Sequence, residues 1–182
     1  MRLLDKVKED KLVSTAVFDV VQKSFKDINF KPIGLNCKDW VMIIARDTRD
    51  IDPVCVFVKQ TRWGVEHSTI EFPCGTVDLN ESPEEAAIRE FREETGIDIS
   101  QSSLNKLEVF NPNPAYFNNR MHIFEYVDKG LIKKFLEKKK QKLDKTEDCE
   151  VFIGRLSSQK NLLSNGGMSL IGLLLAERGN LC

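Results

Sequence analysis

Three glutamates, Glu90, Glu93 and Glu94, crowd the last turns of the helix-forming stretch REFREETG. Negative charge is disfavoured there, because a helix C-terminus carries partial negative charge and like charges four residues apart repel. A solvated acidic face would account for Glu84 and Glu85, which fall in the first turn where the dipole welcomes them. It does not account for the later three. A bound divalent cation does. Hard, all-oxygen ligands favour Mg²⁺, Mn²⁺ or Ca²⁺ over Zn²⁺. Mg²⁺ usually joins a few carboxylates to the phosphate oxygens of a substrate, so these residues point to metal-assisted phosphate chemistry.

The element that positions them is marked at both ends. Ser82 suits an N-cap, with Pro83 at the first helical position and Glu85 completing a capping box. Gly96 suits the residue after the helix end, so the spacing predicts a helix over Pro83 to Thr95. At about 100° per residue, Glu90, Glu93 and Glu94 share one stripe with Ala86 among them, and Ala87, Ile88, Phe91 and Thr95 form a separate apolar stripe. Ala86 is expected to leave the space before the carboxylates open. Arg89 is expected to pair with Glu93 at i+4.

Around this helix the chain reads as short strands. WVMIIARD (40–47) and PVCVFVKQ (53–60) flank the polar turn TRDID and suggest a hairpin. STIEFP (68–73), LNKLEVF (104–110), RMHIFEYV (120–127) and DCEVFIGRL (148–156) read as further strands, and MSLIGLLLAERG (168–179) as a mostly buried C-terminal helix. Residues 12–30 are β-branched and aromatic and suggest one or two strands, which Pro32 and Gly34 interrupt. The loop NPNPAYFNN is kept irregular by its prolines and asparagines. The lysine run in 129–145 reads as a solvated helix or loop more readily than as an anion-attracting lid. The pattern is mixed α/β without regular βαβ alternation.

Composition sets outer bounds. The 182 residues carry a formal net charge of −1 and are 41% hydrophobic, which suits one compact domain with at most a small appendage. Near-balanced charge gives no footprint for nucleic acid or an anionic membrane. Five scattered cysteines with no CxxC argue against a disulfide framework or zinc cage and favour a reduced, cytoplasmic protein. No long uncharged apolar run suggests a signal peptide or membrane span. Two histidines, His67 and His122, supply little for histidine-based metal or triad chemistry.

Gly75, then Glu81, then Arg89-Glu90-Phe91-Arg92-Glu93-Glu94-Thr95-Gly96-Ile97 matches the Nudix box, G-x5-E-x7-R-E-U-x-E-E-x-G-U with U apolar, at every fixed position. The flanking VFVKQTRWGVEHSTIEFPCG, the prolines Pro112 and Pro114 beyond the box, NPAYFNNRMHIF and GGMSLIGLLLA resemble the ADP-ribose pyrophosphatases and related nucleoside diphosphate sugar hydrolases.

That resemblance implies an α/β/α sandwich around a mixed β-sheet (37–182), with an N-terminal antiparallel strand extension (1–36) making dimer contacts. It implies Glu90 and Glu94 as the main metal ligands, Glu93 beside them, and the backbone carbonyl of Cys74 as a further ligand for Mg²⁺, with Mn²⁺ able to substitute. Arg89 would orient the glutamates, and Glu81 would brace the loop or take a part at the metal. A late loop, DKTEDCEV, would supply a general base or added metal ligand: Glu147, with Asp144, Asp148 and Glu150 as alternatives. Gly75, Arg62, Asn119 and Arg120 fall at substrate-binding positions, Arg62 because its fork suits phosphate oxygens. Asn119 stands where an acidic residue precedes the loop arginine in the ADP-ribose enzymes, which leaves room for other sugar nucleotides. Tyr116 and Phe117 suit stacking on a base or, more simply, rim packing.

The implied activity is Mg²⁺-dependent cleavage of the diphosphate link of a nucleoside diphosphate sugar such as ADP-ribose, in a homodimer. The alternatives are another nucleoside diphosphate derivative (GDP-mannose, a dinucleoside polyphosphate or a nucleoside triphosphate) and a non-catalytic nucleotide-binding module.

Overall fold

The computed structural model describes residues 5–139, 149–163 and 167–178. An N-terminal antiparallel sheet is formed by β1 (Lys6–Ser14), β2 (Phe18–Phe25) and β3 (Ile33–Cys37). Pro32 and Gly34 do not end this region as expected. Gly34 lies inside β3, where pairing with Val21 sets the strand. A Cβ there would sit 3.1 Å from Lys23 Nζ and 3.5 Å from the Tyr116 carbonyl, so glycine admits close approach of the 111–118 loop. That loop is knitted to β3 by Leu35 N–H donating to Tyr116 O and Asn118 N–H donating to Leu35 O.

The main sheet contains β4 (Trp40–Asp47), β5 (Val54–Arg62), β6 (His67–Glu71), β7 (Cys74–Thr76), β8 (Leu104–Phe110), β9 (Met121–Val127) and β10 (Cys149–Arg155). Its order is β10-β5-β4-β9-β8, with β6 on β5 and β7 on β4. Only β4 and β9 run parallel among these pairings, so the sheet is mixed. The expected hairpin of 40–47 and 53–60 is a pair of rungs, Arg46↔Cys55 and Asp47↔Val54. Beyond them the strands part. β7 takes the freed edge of β4 through Met42↔Cys74, Val41↔Gly75 and Trp40↔Thr76, while β5 pairs with β6.

Both faces of the sheet are covered. In β4, Val41, Ile43 and Ala45 pack beneath Ala86, Ala87 and Phe91 of α1 (Pro83–Thr95) and Leu131 and Phe135 of α2 (Leu131–Lys139). The alternate residues Met42 and Ile44 pack beneath Leu156 and Leu163 of α3 (Leu156–Leu163) and Leu173 and Ala176 of α4 (Gly167–Arg178). A strand buried on both faces is apolar at every position, which is why WVMIIA shows no alternation. This is the expected α/β/α sandwich. The C-terminal helix is less buried than expected, with Leu170 and Leu174 exposed. Among the described residues no helix is long and apolar enough to cross a membrane.

Candidate active site

Helix α1 forms as its end signals require. The Ser82 hydroxyl accepts from Glu85 N–H, the Glu85 carboxylate accepts from Ser82 N–H, and Gly96 closes the helix in the left-handed region at φ 70°. Ala86 does not clear a space; it is fully buried with Ala87, Phe91 and Thr95, and Ile88 is only half-buried. The buried face is therefore rotated towards Glu90 and Glu94, whose side lies against β7.

The contact with β7 is made at glycine distance. A Cβ on Gly75 would fall 2.0 Å from Glu90 Cδ and 2.2 Å from its Oε1. The space a side chain would take is filled by the Glu90 carboxylate. Thr76 N–H donates to Glu90 Oε1 at 3.1 Å, and Arg89 Nη1 lies 2.9 Å from the same oxygen. Both contacts meet Oε1, and Glu90 lines the neighbouring cavity. Burial pushes the Glu90 carboxyl above its ordinary range despite the Arg89 guanidinium beside it.

Arg89 makes more contacts than the expected i+4 pair. It grips Glu81 with two bonds of 2.9 Å, donates to Thr76 O at 2.8 Å and reaches Glu93 at 3.2 Å. The bidentate Arg89 bond holds the Glu81 carboxyl below its usual range. One guanidinium thus ties the loop after β7 to the helix that bears the glutamates.

Two cavities flank β7. One of 430 Å³ is lined by Glu90 and Glu94, by Cys74, Gly75 and Thr76, and by Arg62 and Trp63 from the end of β5 and its turn. The other, of 470 Å³, shares Arg62, Cys74, Gly75 and Thr76 and continues to Trp40 and the first turn of α4. Arg62 therefore stands in the wall common to both. Its guanidinium is held by Glu71 through bonds of 2.9 and 2.6 Å. Glu71 is half-buried, and although that burial would raise its carboxyl, Arg62 and the Thr69 hydroxyl keep it below the usual range. The partner Glu71 was not anticipated, although two opposite charges on the paired strands β5 and β6 were a usable signal. The Cys74 thiol, which burial pushes up, lies 3.6 Å from both Arg62 Nη2 and Glu71 Oε2 and behaves as a packed neutral group.

The site draws together Arg62, Cys74, Gly75, Glu90 and Glu94, with Arg89 behind them. Glu93 is exposed at the rim and lines neither cavity. Asn119 and Arg120 are not brought in. Asn119 is buried with its amide donating to Lys38 O, and Arg120 meets Asp39 Oδ1 through its backbone N–H. Their side chains were expected at the substrate; the 111–120 loop is instead turned to β3 and Asp39. Glu150 faces outward on β10 opposite Lys59. Glu147, Asp144 and Asp148 lie outside the described residues.

The donor set suits a hard divalent cation. It comprises two carboxylates at one cavity wall, of which the half-buried Glu90 gains in its charged form from a nearby cation, and the Cys74 backbone lining the same cavity. No three such side chains converge into a closed cage among the described residues. An open site of this kind is what Mg²⁺ uses when water and substrate complete its shell.

A family model described as the NUDIX domain matches residues 38–152. The chain belongs to the Nudix family. Among curated Nudix relatives, it is 31% identical over 96 residues to the ADP-ribose pyrophosphatase of Bacillus subtilis, covering 53% of this chain and 48% of that one. It is 36% identical over 127 residues to an uncharacterized Nudix hydrolase of Schizosaccharomyces pombe, covering 69% of this chain and 60% of that one. The match thus spans about half the length of these relatives. A solved structure titled as an ADP compounds hydrolase superposes with a TM-score of 0.70 at 19% identity, covering 98% of this chain and 95% of that one. At that identity the likeness shows the Nudix fold.

Proposed function

We propose that this Nudix hydrolase cleaves the diphosphate link of a nucleoside diphosphate sugar of the ADP-ribose type, releasing a nucleoside monophosphate and a sugar phosphate. One observation carries the reading: the Glu90 carboxylate is seated under Gly75 in a cavity that also holds Glu94 and Arg62. Negative and positive groups thereby face one small space next to exposed strand backbone. The ADP-ribose pyrophosphatase relative supports the substrate class.

Glu90 and Glu94, with the Cys74 carbonyl, would hold Mg²⁺, or Mn²⁺ in its place. When bound, that ion neutralises diphosphate charge and activates water for attack. The chain's own residues do the positioning. Arg62, whose planar guanidinium is oriented by Glu71, offers its outer edge to phosphate oxygens. Arg89 and Thr76 N–H hold Glu90 in place, and Arg89 fixes the loop by its grip on Glu81 and Thr76 O. Glu93 at the rim assists through Arg89. Glu147 is our choice for the base that takes the water proton. Catalysis is chiefly positioning and charge stabilisation, as phosphoryl transfer requires.

The test is a panel of ADP-ribose, other ADP-sugars, GDP-mannose, dinucleoside polyphosphates and nucleoside triphosphates, with Mg²⁺ titrated and products resolved. Preferred Mg²⁺-dependent release of AMP and sugar phosphate supports the proposal. Preferred turnover of a triphosphate, or binding without turnover, contradicts it. A short match of 53% identity over 34 residues to an 8-oxo-dGTP diphosphatase of Proteus vulgaris makes the triphosphates a necessary arm.

A homodimer formed through β1 to β3 belongs to the same proposal. β1 is almost wholly exposed and leaves Val7, Leu12 and Val13 in solvent, an apolar edge that a second copy would cover. A monomer mass by light scattering at working concentration would refute it.

A further inference from the structure

Two buried side-chain atoms at the start of β9 have no hydrogen-bond partner among the described residues: Asn119 Oδ1 and His122 Nδ1. Asn119 is 2% exposed and His122 7%. Strand alternation puts His122 on the same face as Phe124, which packs in the core under α1 and α2. A leucine there would pack without an unmet polar atom. Since such an atom is destabilising, packing alone does not account for these two residues.

Each uses its other polar atom on one two-residue turn, Lys38-Asp39, between β3 and β4. Asn119 Nδ2 donates to Lys38 O at 3.0 Å, and His122 Nε2 lies 3.0 Å from Asp39 Oδ2. A carboxylate accepts, so the hydrogen of this bond is assigned to Nε2. Asp39 Oδ1 accepts from Arg120 N–H at 2.8 Å, and Trp40 N–H donates to Arg120 O at 2.8 Å. The side chain of Asp39 thus clamps the start of β4 to the start of β9.

The backbone of Asp39 faces the other way. Its carbonyl accepts from Val77 N–H at 2.8 Å. Val77 follows Thr76, whose N–H holds Glu90 Oε1 and whose carbonyl accepts from Arg89. β7 has only three residues and three rungs on β4, the last being Trp40↔Thr76. The Asp39–Val77 bond closes that end of the strand, where fraying would release Thr76. The Lys38–Asp78 ion pair beside it is half exposed on both sides and adds little.

We propose that Asp39 and His122 are positioning residues for the metal-holding carboxylates: His122 orients Asp39, Asp39 fixes Val77, and Val77 keeps Thr76 where it grips Glu90 and Arg89. This rests on the reading of Glu90 and Glu94 as ligands of a divalent cation. Neither Asp39 nor His122 lines either cavity, so both act only through this chain of bonds.

The test is Mn²⁺ uptake by the substrate-free protein, read as loss of the free-ion signal in electron paramagnetic resonance. His122→Leu keeps the packing and removes the bond; Asp39→Ala removes the clamp at a side chain that is 38% exposed. Each is expected to weaken Mn²⁺ binding roughly tenfold, the lower end for outer partners of metal ligands. His122→Gln, whose amide nitrogen can stand in for Nε2–H, should stay within about threefold of wild type. Asp128→Asn, far from this turn in the chain, should lower the unfolding midpoint and leave Mn²⁺ binding unmoved. In turnover the Mg²⁺ midpoint of His122→Leu should rise roughly tenfold, with KM for ADP-ribose at saturating Mg²⁺ within about twofold.

Wild-type Mn²⁺ affinity in both His122→Leu and Asp39→Ala overturns the proposal and leaves the metal reading standing. So does a loss in His122→Gln as large as in His122→Leu, or an equal loss in Asp128→Asn, since either marks a merely structural role. Wild type that takes up no Mn²⁺ sinks both readings. Mn²⁺ binding that depends on His122 without hydrolysis of any diphosphate sugar supports the positioning role and sinks the substrate reading.

Discussion

Gly75 and Glu90 occupy one another's space: a methyl group on Gly75 would lie 2.0 Å from the Glu90 carboxyl carbon. The glycine of the Nudix box is thus a hole into which a glutamate from the helix fits. Its backbone conformation is not the reason, since its φ is not in the left-handed region. Gly75→Ala should therefore displace Glu90 while leaving the sheet formed. We expect kcat/KM to fall by about 100-fold, the order associated with misplacing a catalytic group by about an ångström. Steady-state kinetics, with circular dichroism to confirm folding, check this.

Arg89 bridges four partners that no lysine could span together: Glu81, Thr76 O, Glu90 and Glu93. Arg89→Lys should retain the charge and lose the fork. The expected outcome is a fall of roughly 10–100-fold in apparent Mg²⁺ affinity or activity, typical of outer partners of metal ligands. A Mg²⁺ titration of turnover checks it; an unchanged midpoint and rate would show that charge alone suffices.

How far the chain could be read as sequence depends on where each element's cause lies. Helix α1 was legible to the residue because Ser82, Glu85 and Gly96 act locally. β7 was not, because three residues, Cys74–Thr76, form a strand only where β4 has parted from β5. α3 was missed for a similar reason: Leu156–Leu163 starts on Asp52, whose carboxylate accepts from Ser157 N–H and Oγ more than a hundred positions away. Within the site, Glu90, Glu94, Arg89, Gly75 and Arg62 were readable from the box and its flank. Asn119 and Arg120 line neither cavity, because their loop is pinned by contacts to Leu35, Lys38 and Asp39, which local sequence does not display.

Gly172 predicts a stability effect. Met42 is flexible enough to yield to an added Cβ, but the Phe72 ring, fully buried, is not. Gly172→Ala should lower the unfolding free energy by about 1–3 kcal/mol, the usual cost of overpacking, although alanine is the better helix former. Urea unfolding checks both size and sign.

Asp128 predicts a pH dependence. Burial alone would raise its carboxyl, but Lys134 at 2.5 Å, Gly130 N–H at 2.7 Å and the Tyr126 hydroxyl at 2.7 Å outweigh this and hold it at about 2. Its pKa is thus depressed from 3.8. The linked stability is present above the unfolded value and is lost as pH falls from about 3.8 through about 2. Asp128→Asn should cost on the order of 1–2 kcal/mol at pH 7 after allowance for screening. The difference from wild type should shrink towards zero as acid protonates Asp128, measured by urea unfolding across that window.

The central claim is that carboxylates on α1 hold a cation that acts on a diphosphate. Its most direct test is hydrolysis of ADP-ribose by Glu94→Gln across a Mg²⁺ titration, beside wild type. The substitution keeps shape and removes charge. The expected result is a fall of about 100-fold or more in kcat, not restored by saturating Mg²⁺, with the fold and unfolding midpoint retained. Full Mg²⁺-dependent turnover by Glu94→Gln would contradict it.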